Sequence, residues 1–153
     1  MDISETVDVA AAPEAVWALV SDVANMGRWS PETIRASWID GAAAPAVGAR
    51  FKGTNKRGIV RWSTTCTVTE CEPGAAFAFR VGQGPTTWTY RFAGSADGCT
   101  VTETATIADD ASTVERILYR VLGTKDRPAD LRQGIRSTIG RIKIAAEGGA
   151  TPV

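Results

Sequence analysis

Residues 3–22 read ISETVDVAAAPEAVWALVSD, and this stretch predicts a β-strand followed at once by a helix. Ile3, Val7 and Val9 alternate with other residues in the pattern of a half-buried strand. Pro13 then supplies the backbone angle of a first helical turn, and Glu14 favours the positive end of the helix dipole. One face of this helix is apolar and comprises Val16, Trp17, Leu19 and Val20.

A second short helix follows directly. Asp22 can cap its N-terminus, and we expect it to continue through Met26. Trp29-Ser30-Pro31 ends it, because a proline disfavours helical conformation in the residue before it.

From residue 34 to residue 108 the apolar pattern has the period of strands. Turns rich in glycine and proline separate six predicted strands. Their short connections favour an antiparallel meander over βαβ units. The predicted strands are Ile34–Ile39, Arg50–Asn55, Val60–Cys71, Ala75–Val81, Thr87–Ala93 and Thr100–Ala108.

The C-terminal part returns to a helical period. An apolar stripe over Val114–Leu122 predicts one helical segment, which Gly123–Pro128 interrupts. Asp130–Ala146 predicts a long amphipathic helix with an isoleucine stripe, ended by Gly148-Gly149. Its basic side chains indicate a solvated face. We expect residues 148–153 to form a flexible tail.

Together these elements predict an α+β domain with a seven-stranded antiparallel sheet, two short helices after the first strand and a long C-terminal helix. The 153 residues fit a single domain with its core in residues 3–147. A sheet of this size curls, and one helix across its concave face covers only part of the apolar surface. We therefore expect an internal apolar cavity between helix and sheet.

Charge and composition argue against several classes of protein. Seventeen Lys and Arg residues balance 17 Asp and Glu residues, which argues against nucleic-acid binding. No apolar stretch approaches the roughly 20 residues of a transmembrane helix, so we expect no stable membrane insertion. Asp2 and Glu5 stand where a secretion signal needs a basic region and an apolar run. We expect a cytoplasmic protein.

The chain contains no histidine and three cysteines. Without histidine, Ser-His-Asp and Cys-His catalysis are excluded, and zinc or non-haem iron sites are disfavoured. Cys66 and Cys71 lie five residues apart on one predicted strand, so their side chains should point to opposite faces. We therefore expect no disulfide, no metal site and no cofactor.

Short motifs with characteristic spacing run along residues 3–147. They are APEAVW at 12–17 followed by Asp22 and WSP at 29–31, GARFKGTNKRG at 48–58, RWSTT at 61–65, EPG at 72–74 followed by FAF at 77–79, TWTY at 87–90, and VTE at 101–103. In this order they resemble the START-like or SRPBCC superfamily, and particularly its polyketide cyclase/dehydrase-like branch. The resemblance implies the helix-grip fold, in which a curved sheet wraps around the C-terminal helix. It leaves the activity open, because the superfamily includes lipid carriers, natural-product binders and cyclases.

Glu103 is the exception on an apolar stripe of the last strand, which also carries Val101 and Ala105. If this stripe faces the cavity, desolvation raises the pKa of the carboxyl, which can then act as a general acid or base or anchor a ligand hydroxyl. Tyr90 can donate a hydrogen bond to a carbonyl or take part in proton transfer. These two residues are the candidate catalytic groups. The structural alternative is that Glu103 pairs with an arginine or a tyrosine hydroxyl and only stabilises the sheet.

Phe51, Gly53 and Asn55 share one face of another predicted strand. An amide next to a glycine suggests an inward polar group with room beside it. We hypothesise that Asn55 and Glu103 together orient a ligand inside the apolar pocket. The alternative is that Asn55 only opens the turn that follows it.

Other candidate ligand-binding residues are aromatic, aliphatic or basic. Aromatic side chains at alternate strand positions predict a flat wall of the cavity. We expect roughly half of these side chains to contact the cavity and the others to belong to the core. Trp29 can belong to a lid or to the core, and Arg57 and Arg61 can steer an acidic ligand or only aid solubility. The remaining candidates are Trp62, Phe77, Phe79, Trp88, Phe92, Ile135 and Ile139.

We therefore expect a monomer or homodimer that binds a hydrophobic small molecule, such as a lipid, a polyketide or an aromatic metabolite. The alternative is an enzyme resembling aromatase/cyclases or dehydratases, in which Glu103, Tyr90 or Arg57 moves protons on a polyketide-like substrate. A third alternative is a regulatory protein whose partner contacts the helical face.

Overall fold

The computed structural model describes residues 1–82, 84–108 and 127–148, without the side chain of Arg127. The predicted helical segment Val114–Leu122 lies outside the described residues, and so do residues 149–153 of the predicted tail.

The described chain contains the predicted seven strands in the predicted order. They are β1 (Asp2–Val9), β2 (Thr33–Ile39), β3 (Arg50–Arg57), β4 (Val60–Glu72), β5 (Ala76–Val81), β6 (Thr86–Ser95) and β7 (Gly98–Ile107). The helices are α1 (Pro13–Ser21), the short 3₁₀ helix η1 (Val23–Arg28) and the C-terminal α2 (Arg127–Ala146).

The two short helices form as their sequence predicts. Pro13 occupies the first turn of α1, and Asp22 Oδ1 accepts a hydrogen bond from the Ala24 amide at 3.2 Å to cap η1. Trp17 Nε1 donates to the Ala76 carbonyl at 2.9 Å, which fixes α1 on β5.

The strands form one antiparallel sheet in the order β1-β7-β6-β5-β4-β3-β2. The meander from β2 to β7 is confirmed, and β1 adds to β7 with Ile3 opposite Ala105 and Val7 opposite Val101. The architecture is the helix-grip arrangement, a curved sheet with α2 against it. We call the face that the helices cover the inner face.

One register irregularity overturns a sequence prediction. The pairing of β4 with β5 shifts between Val68 and Glu70, as a β-bulge does, and the shift changes which side the next residues face. Cys66 is buried in the apolar core and Cys71 packs against the same core. The prediction that the two thiols point to opposite faces is therefore wrong, because strict alternation fails at the bulge. Both are free thiols.

Helix α2 is held against β1 by apolar and ionic contacts. Ile135 and Ile139 are buried with Ile3. Arg132 and Arg136 both pair with Glu5, at 2.8 and 3.1 Å. The prediction of a solvated basic face is therefore only partly correct, since two of these arginines bind the sheet.

Candidate functional site

The strand registers bring most of the predicted site residues to the inner face. One cross-strand row runs from Glu5 through Glu103 and Tyr90 to Phe77 and Cys71. The adjacent row comprises Ile3, Ala105, Trp88, Phe79 and Val68.

Glu103 and Tyr90 form a buried hydrogen-bonded pair. They lie opposite each other on β7 and β6, and only 3% and 6% of their surfaces are exposed. The Tyr90 hydroxyl donates to Glu103 Oε1 at 3.0 Å. Among the described residues, the buried Oε2 of Glu103 has no hydrogen-bond partner. Tyrosine pairing, the structural alternative for Glu103, is thus present but satisfies only one carboxyl oxygen.

Burial changes the acid–base chemistry of this pair. Desolvation raises the pKa of Glu103 to about 8, although the hydrogen bond from Tyr90 works in the opposite direction. The pKa of Tyr90 rises well above its ordinary value because of burial and the neighbouring carboxyl. At neutral pH the carboxyl is therefore mostly protonated and can donate a hydrogen bond as well as accept one.

The pair lies where two apolar clusters meet. The larger one contains Tyr90 itself, Phe92 and Val101, and the smaller one contains Ala105 with Ile135 and Ile139 of α2. Trp88 is half-buried and packs against both clusters. The free oxygen of Glu103 is therefore a polar atom in an otherwise apolar part of the inner face.

Asn55 is satisfied by two threonines that sequence reasoning missed. Thr33 Oγ1 donates to Asn55 Oδ1 at 2.8 Å, and Asn55 Nδ2 donates to Thr64 Oγ1 at 3.1 Å. Since β3 continues through Arg57, Asn55 lies inside a strand and does not open the turn. Thr33 and Thr64 come together only through the pairing of β2, β3 and β4, so no local sequence signal marks them.

Asn55 and Glu103 occupy different rows of the sheet. Asn55 lies opposite Trp62 on β4, whereas the row of Glu103 meets β4 at Cys71. These two positions are nine residues apart, or about 30 Å of extended strand. The structure thus brings Glu103 to Tyr90 and Asn55 to its threonines, without a hydrogen bond between the two groups.

The predicted aromatic wall divides into core residues and half-buried residues. Phe51 is fully buried and packs edge-on against Phe79, with ring centroids 5.1 Å apart. On its other side lies Trp38 of β2, which sequence reasoning missed although the stretch Arg35-Ala36-Ser37-Trp38 alternates polar and apolar residues. Trp62 and Trp88 are half-buried. Phe77, Phe92 and Trp29 are buried in the larger cluster.

Arg57, at one end of the inner face, connects β3 with α2 and with the residue that precedes β2. Its guanidinium pairs with Glu32 at 3.2 Å and with Asp130 of α2 at 3.0 Å. The hydrogen bond to Asp130 is the main cause of the raised pKa of Arg57. Two carboxylates thus balance this charge, which argues against ligand steering by Arg57. Arg61 is exposed.

Two further properties concern metal binding and membranes. The described residues contain no group of three or more side chains suited to hold a metal ion. No helix in the described part of the chain is long and apolar enough to cross a membrane.

Comparisons with known proteins agree with the architecture. A family model described as polyketide cyclase/dehydrase and lipid transport matches residues 1–138. A polyketide-cyclase-like protein from Corynebacterium glutamicum is 26% identical and superposes with a TM-score of 0.61, covering 95% of this chain and 88% of its own. A search of curated proteins gave no match.

Two less similar structures share the fold. A protein from Chromobacterium violaceum is 16% identical, with a TM-score of 0.70 over 95% of this chain and 97% of its own. An AHSA1-like protein from Aeromonas hydrophila is 20% identical, with a TM-score of 0.64 over 100% and 99%.

Proposed function

Because the chain belongs to the polyketide cyclase/dehydrase and lipid transport family, we propose that it binds an apolar small molecule that carries a hydrogen-bonding oxygen. Lipids, polyketides and aromatic metabolites all have this chemistry. The ligand lies between α2 and the inner face, and its oxygen meets Glu103.

The observation that carries the proposal is that Oε2 of Glu103 is buried without a hydrogen-bond partner in the described part of the chain. A buried polar atom without a partner costs on the order of 1–3 kcal/mol, so a ligand that supplies the partner regains this energy. Since the carboxyl is mostly protonated at neutral pH, it suits an uncharged acceptor such as a ketone better than a carboxylate.

The aromatic side chains supply the driving force. Trp88, which is half-buried in the row next to Glu103, can cover the ligand, at about 25 cal/mol for each Å² of apolar surface removed from water. The polar contact then fixes orientation, which is the usual division of roles in small-molecule sites.

A matched ligand pair tests this function. We would measure binding of 2-acetylnaphthalene and 2-ethylnaphthalene, which differ by a carbonyl in place of a methylene, through quenching of tryptophan fluorescence. The protein should prefer the ketone by roughly fivefold, the value of one neutral hydrogen bond. Glu103→Leu should abolish the preference and Glu103→Gln, which keeps a donor, should retain it.

Glu70→Gln is the control, because Glu70 is a carboxylate of the same sheet that pairs with Arg91 in exposed positions. It should bind both compounds as the wild type does. Absence of binding to either naphthalene, or an unchanged preference in Glu103→Leu, would contradict the proposal.

The second candidate function is a cofactor-independent cyclase or dehydratase. The contact between Tyr90 and a carboxyl with a pKa near 8 favours it, since general acids work best when their pKa lies near the working pH. Glu103 would then protonate the oxygen that leaves or forms during aldol closure and dehydration of a polyketide chain.

Two variants separate the candidates. Glu103→Gln and Tyr90→Phe should change ligand affinity by less than about tenfold in a carrier whose binding depends on packing. In an enzyme that uses these groups for proton transfer, the same changes should lower turnover by about 100-fold or more.

A further inference from the structure

Charge is distributed unevenly over a chain whose net charge is zero. Residues 33–69, which cover β2, β3 and most of β4, contain six basic residues and one acidic residue, Asp40. This segment therefore has an excess of five basic residues, one of which, Arg57, is balanced by Glu32 and Asp130 outside it; the remainder of the chain carries the compensating negative charge.

The β3–β4 hairpin ends in exposed apolar residues. Gly58 and Ile59 form its two-residue turn, where Gly58 has a φ of +60° that favours glycine. Ile59 is 100% exposed and the adjacent Val60 is 45% exposed. A fully exposed isoleucine at the tip of a tight turn contributes nothing to the core.

Basic side chains surround this tip on the outer face. Lys56 and Arg61 lie directly opposite each other across the hairpin, and both are exposed. Like charges in this position destabilise a strand pair. No ion pair joins either of them to a carboxylate within the described ranges. Arg35 of β2, opposite Thr54, extends the same face.

We propose that this hairpin tip docks the protein on an anionic lipid bilayer. Ile59 and Val60 enter the boundary between headgroups and acyl chains, and Lys56, Arg61 and Arg35 bind the lipid phosphates. A short apolar anchor gives only weak binding by itself, and an adjacent basic patch supplies the second signal that stable docking needs.

The position of the tip gives this docking a direction. Val60 lies opposite Arg57, whose ion pairs with Glu32 and Asp130 connect the end of β3 to α2. Docking therefore places this end of the inner face at the bilayer surface. The docking itself is independent of the proposed function, and only ligand exchange with the membrane depends on it.

Flotation of the full chain with vesicles tests the proposal. We would compare vesicles of phosphatidylcholine alone with vesicles that also contain phosphatidylserine. The protein should float only with the anionic vesicles, and added salt should release it. Ile59→Ser should lower the apparent affinity by about tenfold, as expected for loss of a buried aliphatic side chain. Lys56→Gln combined with Arg61→Gln should lower it by a similar or larger factor.

Ile144→Ser and Arg141→Gln are the matched controls, because Ile144 is 64% exposed and Arg141 is exposed on α2. Neither should change flotation. Ile59→Ser should also keep the wild-type preference for 2-acetylnaphthalene, so that loss of docking and loss of the ligand site are distinguishable.

The proposed docking surface would be overturned by equal binding to both kinds of vesicle, by unchanged flotation of Ile59→Ser, or by equal losses in the α2 controls. Binding to heparin or polyglutamate that is as strong as binding to anionic vesicles, and insensitive to Ile59→Ser, would also overturn it, since a general polyanion surface needs no apolar tip.

Discussion

At the residue scale, the proposed function depends on Glu103. Its carboxyl is buried between apolar clusters, and one of its oxygens accepts a hydrogen bond from Tyr90. A fold gains no stability from an unmatched second oxygen in such surroundings. Residues that break the pattern of their strand in this way are where function is expected.

Glu103→Gln should change how stability depends on pH. The folded-state pKa is raised from 4.5 to about 8, so the stability that the neutral carboxyl contributes is full below about pH 4.5 and is lost as the pH rises through 8. The variant lacks this loss. Its free energy of unfolding relative to wild type should therefore increase with pH, by up to about 5 kcal/mol at roughly 1.4 kcal/mol per pKa unit.

Urea denaturation below pH 4.5, at neutral pH and above pH 8 measures this difference. Glu70→Gln, at an exposed ion pair, should follow the wild-type curve. A difference between Glu103→Gln and wild type that does not vary with pH would show that the carboxyl is not held neutral.

Tyr90→Phe should raise the pKa of Glu103 further. The hydroxyl donates the hydrogen bond that lowers this pKa, and phenylalanine keeps the ring but not the donor. The infrared band of the protonated carboxyl, assigned by its absence in Glu103→Gln, should persist to higher pH in the variant. A band that disappears at the wild-type pH would mean that the hydroxyl does not stabilise the charged form.

Gly53→Ala should destabilise the protein through crowding. An added Cβ would lie 3.3 Å from Thr64 Oγ1, the acceptor of the Asn55 amide, and overpacking of this kind costs about 1–3 kcal/mol. Gly140→Ala in α2 is the matched control, because its Cβ meets nothing within 4 Å and alanine favours helix by about 0.5–1 kcal/mol. Equal effects of the two changes on urea unfolding would contradict this assignment.

At the scale of elements, α2 is held from two sides. Arg132 and Arg136 bind Glu5 of β1, and Asp130 binds Arg57 of β3. These strands lie on opposite halves of the sheet, so the ion pairs span the inner face between them. The polar contacts that hold α2 beside the proposed ligand site are thus ion pairs, which weaken as the salt concentration rises.

Arg57→Gln should loosen the first turn of α2. Loss of the pairs with Glu32 and Asp130 frees that end of the helix, so amide hydrogen exchange in residues 131–134 should become several times faster. Arg50→Gln, which breaks the exposed pair with Asp40, should leave α2 unchanged. An exchange rate that rises equally in both variants, or in neither, would show that the ion pairs of Arg57 do not specifically hold the first turn of α2.

At the scale of the whole molecule, the sheet and helices form the same fold as proteins only 16–26% identical in sequence. Such divergence is compatible with one architecture because the inner face needs apolar side chains of suitable volume and not particular residues. Under the proposed function, the side chains that break this requirement in the present chain, such as Glu103, are the ones expected to select its ligand.

The native protein should retain an apolar ligand through purification. Native mass spectrometry should show a bound mass that is lost on denaturation, and extraction of this molecule should lower the Tm, since a ligand that binds only the folded state stabilises it. A native mass equal to that of the chain alone would contradict this prediction.

Much of the fold and part of the candidate site could be predicted from the chain. Alternation on β7 identified Glu103 as the polar residue of an apolar stripe, and the structure confirms its burial. Sequence also suggested a tyrosine hydroxyl as one partner, but not which tyrosine. The partners of Asn55 escaped prediction, because Thr33 and Thr64 are far from it along the chain and meet it through pairing of three strands.

The order of the described elements can be read from the chain alone, and so can the face that each residue of a regular strand presents, since both follow from backbone geometry and from apolar period. Contacts that depend on register and curvature arise only when the elements pack together. Examples are the bulge that places Cys66 and Cys71 on one face, the Tyr90–Glu103 hydrogen bond and the Arg57–Asp130 ion pair. Each of them depends on a neighbouring element. Local sequence patterns carry no information on such contacts, because the energy of these contacts comes from the packing of the whole sheet against its helices.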